Sequence, residues 1–418
     1  MTKRICFRSA ACLFVIALVL SCGRRAEIQT LEVEQGKIFD GLRFEKIFQI
    51  DLYGGWCLAL PQGFICSELL DRSYKESQLK LFDESGKLIK ERRLIHGDGP
   101  NEIRVWNFNN VWLSSSGKIL TEDNNYLKSL DPETLEVETV CKLSNVIDGY
   151  GSKYTLGWNS FTSLDENDGH IATSLESSAF YEDMTYYVVT FDAGFKNLSV
   201  LAKAKKPKPL VWAKLEKRKK SNGKWESMTD YYHLSRMTRT LSADWKRKAV
   251  YFFSDIEKPV IESVDFQGKD RKEYVIGLKI EDFKVEREEF DFYHEYAASD
   301  ADPRLKGRFA DTLYIPPHAP ALMGLKVIGD RLFIITGDRN WKRRENEVLV
   351  YSLPTMKYEG SFFIPFPNLL LTQWYDKYYI TRTLVKKDDD YYSSYEIFRV
   401  EDNDLIEELD RQPQLPIS

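Results

Sequence analysis

The chain has 418 residues, with 59 Lys or Arg against 64 Asp or Glu, a formal net charge of −5 and an aromatic share of 13%. That mildly acidic balance argues against nucleic acid as a partner, since phosphates recruit basic faces. Abundant aromatic and β-branched residues, recurrent Gly and Pro at turn positions and no long amphipathic helix point to an all-β fold.

The first 21 residues read as a signal peptide: Lys3, Arg4 and Arg8 form a basic start, and Ala10 to Leu20 is an apolar run too short to span a bilayer. Val19-Leu20-Ser21-Cys22 supplies the small residue and cysteine at the cleavage point of a lipoprotein, so Cys22 is the expected lipidation site and the membrane an expected partner. The alternative is an ordinary secretory signal with a chance cysteine. Removal of residues 1–21 leaves 56 basic against 64 acidic residues and a net charge of −8. Gly23 lacks the aspartate that marks inner-membrane retention, which favours the outer membrane of a cell envelope. Residues 22–42 read as a lipid-anchored linker and 43–412 as the folded domain.

In the run Trp56 to Cys66, a two-residue turn at Pro61-Gln62 pairs Leu60 with Gly63 and sets Cys57 opposite Cys66 at a non-hydrogen-bonded position. An oxidising envelope permits a disulfide there, while one extra turn residue would remove the pairing. Cys141 fits a small buried hydrophobe better than a nucleophile.

A pattern recurs along the chain: an apolar run, Gly-x-Ile, then an acidic residue. It is present as Gly63-Phe64-Ile65 before Glu68, Gly117-Lys118-Ile119 before Asp123 and Gly169-His170-Ile171 before Glu176. Looser copies start at Lys248 before Asp255, at Arg331 before Asp338 and at Lys377 before Arg382. Each is followed by a second hairpin whose turn centres on Asp83, Asp131-Pro132, Asp192, Asp265, Leu353-Pro354 or Glu401. Asp suits such turns because its carboxylate accepts a backbone amide two residues on. Six such pairs of hairpins predict a six-bladed β-propeller with four-stranded blades, with a β-sandwich as the alternative. Longer spacing around the fourth and fifth units marks two insertions, at about 203–238 and 276–320. Within the second, residues 281–290 have the spacing of a helix carrying Phe283 and Phe290.

The loop His96-Gly97-Asp98-Gly99-Pro100-Asn101-Glu102 resembles the Gly-x-Gly-Pro-Gly-Glu signature of uncharacterised six-bladed propeller lipoproteins of Gram-negative bacteria, which are similar to NHL-repeat propellers. The resemblance covers the lipoprotein motif, this loop and the first unit, and departs from the pattern at Asn101. It implies a fold and no activity. Gly97, Gly99, Pro100 and Glu102 are its signature positions, with Glu102 expected to accept bonds from loop amides. A structural turn fits this loop better than a phosphate cradle, because no helix with a basic residue follows.

Glu68, Asp123, Glu176, Asp255 and Asp338 end one strand in each of five units and would ring one mouth of a propeller channel. Such a ring can hold a hard cation such as Ca²⁺, or can consist of separate turn caps, the reading favoured here; otherwise no cofactor is expected. No His pair has zinc spacing, and Gly-x-Ser-x-Gly and nucleotide fingerprints are absent from the sequence. Trp212, Trp225, Tyr232, His233, Tyr293, His294 and Tyr314 cluster in the insertions and can either stack on a glycan, anchor an envelope protein or pack onto the blades. The leading expectation is a binding module. The alternative is an envelope enzyme, a metal-assisted lactonase, lyase or hydrolase using the acidic mouth.

Overall fold

The computed structural model describes residues 27–70, 75–95, 99, 102, 111–114, 117–123, 126–142, 145, 154–156, 162–163, 170–177, 185–192, 197–205, 212–219, 225–233, 241–255, 258–285, 287, 291, 313–314, 318, 321–340, 343, 345–365, 373–375, 377–387 and 390–401. Cys22, Gly97, Pro100, Tyr293 and His294 lie outside the described residues.

Two strands come first, β1 (Glu27–Leu31) and β2 (Arg43–Leu52). Sheet I follows in the order β3 (Trp56–Leu60), β4 (Gly63–Leu69), β5 (Glu76–Asp83), β6 (Leu88–Ile95). Sheet II runs β7 (Val111–Leu113), β8 (Ile119–Asp123), β9 (Tyr126–Leu130), β10 (Val137–Lys142). Sheet III contains β11 (Tyr154–Leu156), β12 (Thr162–Ser163), β13 (His170–Ser177), β14 (Thr185–Asp192) and β15 (Leu198–Lys205), with β11 and β12 both pairing β13. The hairpin β16 (Trp212–Lys219) and β17 (Trp225–His233) stands outside this series. Sheet IV runs β18 (Leu241–Asp244), β19 (Ala249–Asp255), β20 (Val260–Asp265), β21 (Arg271–Ile276) and carries β1 beside β21. After the short β22 (Leu313–Tyr314), sheet V runs β23 (Leu322–Ile328), β24 (Arg331–Asn340), β25 (Glu345–Ser352), β26 (Lys357–Pro365). Sheet VI is β27 (Gln373–Tyr375), β28 (Tyr378–Lys387) and β29 (Asp390–Glu401), and the N-terminal β2 completes it beside β29. Helix is nearly absent among the described residues. Of the segment expected as a helix, Ile280–Asp282 is a 3-10 turn and Phe283 is buried.

The core lies between successive sheets. Leu58, Ile65 and Leu79 of sheet I meet Ile119, Leu130 and Val137 of sheet II. Val188 and Ala202 of sheet III meet Val250 and Phe252 of sheet IV. Tyr251 and Phe253 of sheet IV meet Leu332, Ile334 and Leu349 of sheet V, whose Phe333 and Val350 meet Tyr379 and Phe398 of sheet VI. Ile380 and Ile397 of sheet VI then pack on Cys57, Phe64 and Cys66 of sheet I, which returns the series to its start. Alternate residues of β19 thus face opposite neighbours, so a strand with both faces covered reads as a continuous apolar run. Sheets IV, V, VI and I are each packed on both faces, and with the last sheet beside the first this succession makes a β-propeller and overturns the sandwich alternative.

All six repeat motifs open the second strand of their sheets: β4, β8, β13, β19, β24 and β28. The turn chemistry is as the sequence predicts. Asp83 Oδ1 accepts the Ser85 amide at 2.9 Å, and Asp131 Oδ1 accepts the Glu133 amide at 2.8 Å. In each of four such turns, one residue returns its amide to the carbonyl that opens the turn and sits at positive φ: Gly86 (79°), Leu135 (61°), Gly268 (74°) and Met356 (52°). A left-handed conformation costs a side chain roughly 1–2 kcal/mol. Leu135 and Met356 are buried, and burying such a side chain is worth about 1.5–3 kcal/mol, enough to offset it.

The N-terminal segment is the main departure from expectation. Glu27–Leu31, placed in a linker by the sequence, pairs in parallel with β21 at the outer edge of sheet IV, Glu27 opposite Lys272 and Leu31 opposite Ile276. The chain then crosses the outer edge of sheet V, where the Phe39 amide donates to the Ser361 carbonyl at 2.8 Å and the Ser361 amide to the Lys37 carbonyl at 2.9 Å. Phe39 stacks on Phe362 in a tilted contact with Arg331 over its ring. Finally β2 pairs with β29 from Arg43 opposite Glu401 to Leu52 opposite Ser393. Residues 27–52 form a strap along three successive sheet edges. An edge strand offers unpaired amides and carbonyls that any neighbouring segment can meet, and here the chain's own start meets them. A second adjustment is smaller: β15 extends to Lys205, so residues 203–205 continue sheet III instead of opening the insertion.

Candidate functional site

The two insertions meet. The antiparallel β16–β17 hairpin of the first sets Trp212 opposite His233 and Ala213 opposite Tyr232. The second insertion returns β22 against the other side of β16, with Trp212 opposite Tyr314 and Ala213 opposite Leu313. Trp212, His233 and Tyr314 therefore occupy one cross-strand row of a three-stranded sheet, although Tyr314 is far from the hairpin in sequence. Tyr232 lies one register position away, and Trp225 sits at the far end of the hairpin opposite Lys219. Directly opposed residues of an antiparallel pair are the closest cross-strand neighbours on a sheet. The second insertion makes a further contact with itself through an isolated bridge between Lys284 and His318.

The five acidic positions fall on equivalent strands, β4, β8, β13, β19 and β24, the second of their sheets. The side chain of Glu68 is engaged: Lys80 Nζ donates to its Oε2 at 2.6 Å from the neighbouring strand, and the Tyr53 amide approaches Oε1 at 3.5 Å. The side chains of Asp123, Glu176, Asp255 and Asp338 lie outside the described ones. Among the described residues no three His, Cys, Asp or Glu converge as metal ligands.

The signature loop is tied from within. Glu102 Oε2 accepts the Gly99 amide at 2.8 Å, and the Glu102 amide donates to the Gly99 carbonyl at 3.1 Å. Lys128, at 1% exposure, reaches from β9 and donates to the carbonyls of both Gly99 (3.1 Å) and Glu102. A buried ammonium needs such acceptors, because desolvation without them costs several kcal/mol. These bonds turn the Gly99 and Glu102 carbonyls onto the lysine. Lys128 was not singled out in the sequence, where Tyr126-Leu127-Lys128-Ser129-Leu130 reads as an ordinary alternating strand.

In sheet I the turn at Pro61-Gln62 has the predicted register, Leu60 opposite Gly63 and Cys57 opposite Cys66. Gly63 is required there. Its φ is 145°, and a Cβ would stand 2.1 Å from the Phe82 carbonyl oxygen. The two thiols are free and buried, with Sγ atoms 2.8 Å apart. Burial pushes the Cys66 thiol well above its ordinary pKa. Burial likewise raises the Cys141 thiol, to about 11, as suits an unreactive side chain.

A charged clamp joins sheets IV and V and had no sequence signal. Arg247, in the β18–β19 turn, binds Asp244 at 2.9 Å and also Asp330 in the β23–β24 turn. Lys246 Nζ adds a bond to Asp330 at 2.8 Å. Bonds from Lys246 and then Arg247 hold the Asp330 carboxyl below the usual carboxylate range.

No family model matches the chain, and no curated protein does. Among solved structures it is similar to a predicted exported protein from Bacteroides fragilis, at 12% identity over 90% of this chain and 99% of that one, with a TM-score of 0.42. It is also similar to a quinonprotein alcohol dehydrogenase-like protein from Bacteroides thetaiotaomicron, at 11% identity over 80% and 68% of the two chains, with a TM-score of 0.30. A puromycin hydrolase matches at 9% identity over 77% and 47%, with a TM-score of 0.32. The propeller assignment stands on strand order and intersheet packing within this chain.

Proposed function

We propose that this is a lipid-anchored protein of the cell envelope, its sheets I–VI the six blades of one propeller, that binds a glycan or an envelope protein through the sheet built by its two insertions. The observation that carries the binding reading is the row Trp212–His233–Tyr314. Aromatic rings give large rigid contact area and a polar tip at small entropic cost, the composition of sugar platforms and of protein hot spots. Support for six blades comes from the run of intersheet cores that leads from sheet III through IV, V, VI and I to II, and from six repeat motifs that each open the second strand of a sheet.

The anchor rests on the sequence around Cys22. Glu27 follows it by five residues, and an extended chain spans at most about 3.5 Å per residue. The start of β1 then sits within roughly 17 Å of the lipidated sulfur. That geometry brings the outer edge of sheet IV toward the bilayer.

A glycan array and an envelope-protein cross-linking screen with the full chain test the binding reading. A specific ligand whose affinity falls about 30-fold or more in Trp212→Ala and in Tyr314→Ala supports it. Unchanged binding of every ligand found in Trp212→Ala, Tyr232→Ala and Tyr293→Ala sinks it. Incorporation of labelled fatty acid that vanishes in Cys22→Ser tests the anchor separately.

A further inference from the structure

We infer that Cys57 and Cys66 become a disulfide that staples the first hairpin of sheet I at the seam where the ring closes. Three observations carry this. The register opposes the two residues in the non-hydrogen-bonded position, where Cα atoms approach to about 4.5 Å, within the range of roughly 4.4–6.8 Å that a disulfide spans. The sulfurs face each other at 2.8 Å in the free-thiol form, so the bond needs no strand to move far. The register itself is locked, because Gly63 accepts a backbone conformation that a side chain cannot, immediately after the turn.

The neighbours say what the staple holds. Cys57 and Cys66 pack in one core with Ile380, Tyr395 and Ile397 of sheet VI, the sheet in which β2 pairs with β29. Tyr395 donates its hydroxyl to the Gly55 carbonyl at 2.8 Å, two residues before Cys57. Cross-linking β3 to β4 therefore fixes the surface against which the last sheet docks.

Both residues are almost fully covered, at 2% and 0% exposure, so an oxidant cannot reach them in the closed ring. The bond forms before sheet VI packs. One cysteine thiolate attacks a small-molecule or protein disulfide, giving a mixed disulfide and releasing one thiol. The second cysteine, losing its proton, attacks the protein sulfur of that mixed disulfide and releases the other thiol. The chain loses two electrons and two protons, and the oxidant is reduced to two thiols. The inference is independent of the ligand and needs the envelope only as a source of oxidant.

The test uses the full chain, unfolded and refolded in mixtures of reduced and oxidised glutathione, then denatured, alkylated and digested with trypsin. Residues 47–72 form a single tryptic peptide that holds both cysteines. The expected result is a peptide lighter by two hydrogens that takes up no alkyl group until it is reduced, while Cys141 is alkylated throughout. A doubly alkylated 47–72 peptide without prior reduction, or linkage of either cysteine to Cys141, would overturn the inference. The staple also predicts a midpoint of thermal unfolding about 3 °C lower after reduction, from loop-closure entropy spread over a chain of this size. The Cys57→Ala/Cys66→Ala double variant should melt alike with and without reductant; equal midpoints for the oxidised and reduced parent would refute the stapling role.

Discussion

Tyr395→Phe removes one oxygen from the seam between sheets VI and I and nothing else. The ring stays in the core with Ile397 and the cysteines, while the hydroxyl that donates to the Gly55 carbonyl at 2.8 Å is lost. Gly55 is closely packed on its strand neighbour, since an added Cβ would lie 1.8 Å from the Ser67 carbonyl oxygen. A buried acceptor left without its partner costs about 1–3 kcal/mol. With about 2.1 cal/mol/K of unfolding entropy per residue, that corresponds to a fall of roughly 1–4 °C in Tm. The kinetics are more telling. Tyr395 and Gly55 are 340 residues apart, so their bond exists only once the ring has closed. If closure follows the folding transition state, a 2 kcal/mol loss raises the unfolding rate about 30-fold and leaves the folding rate unchanged. Tyr379→Phe is the matched control, because its hydroxyl donates to the Pro365 carbonyl only 14 residues away. Stopped-flow denaturant jumps on both variants measure this. A Tyr395→Phe chain that unfolds at the parent rate, or that loses its stability through slower folding, refutes the late-closure reasoning.

Gly63→Ala should cost about 3 kcal/mol or more in equilibrium urea unfolding, from its φ and the Phe82 carbonyl in its way; a cost under 1 kcal/mol would contradict the backbone described here. Lys128→Met leaves the Gly99 and Glu102 carbonyls without their buried donor, and should lose about 2 kcal/mol and the slow amide exchange of Gly99 and Glu102. Asp330 has a depressed folded pKa, so its contribution is present above the ordinary carboxylate pKa near 3.8 and is lost as pH falls through the folded value. Thermal melts should therefore fall more steeply with acid below about pH 4 in the parent than in Asp330→Asn, and the variant should lose no more than about 1 kcal/mol at neutral pH because the carboxylate is one-third exposed.

The parts of the fold legible in the sequence are those set by neighbours along the chain. The Cys57–Cys66 register follows from a two-residue turn, and a one-residue slip would flip every side chain to the other face. The Asp83, Asp131 and Asp265 turns follow from side-chain chemistry that acts within five residues. The strap was not legible, because Glu27–Leu31 is five residues long and its partner strand begins at Arg271. The union of the insertions has the same character: nothing near Trp212 announces Tyr314. Lys128 was hidden for another reason. Both faces of β9 are covered, so Leu127, Lys128 and Leu130 are all buried and alternation carries no information about which position is polar.

The strap gives the ring an order of assembly. Synthesis delivers residues 27–52 first, yet their hydrogen-bonding partners at 271–276, 361 and 393–401 arrive only when most of the chain has been made. Through that interval a long apolar-edged segment has no partner of its own, and any exposed sheet edge of another nascent copy offers the same backbone groups. A chain halted before Asp390 would hold a propeller open at its last sheet, with β2 free to complete someone else's. Truncations that remove Asp390–Glu401 should therefore be more prone to exchange strands between copies than truncations that also remove the strap.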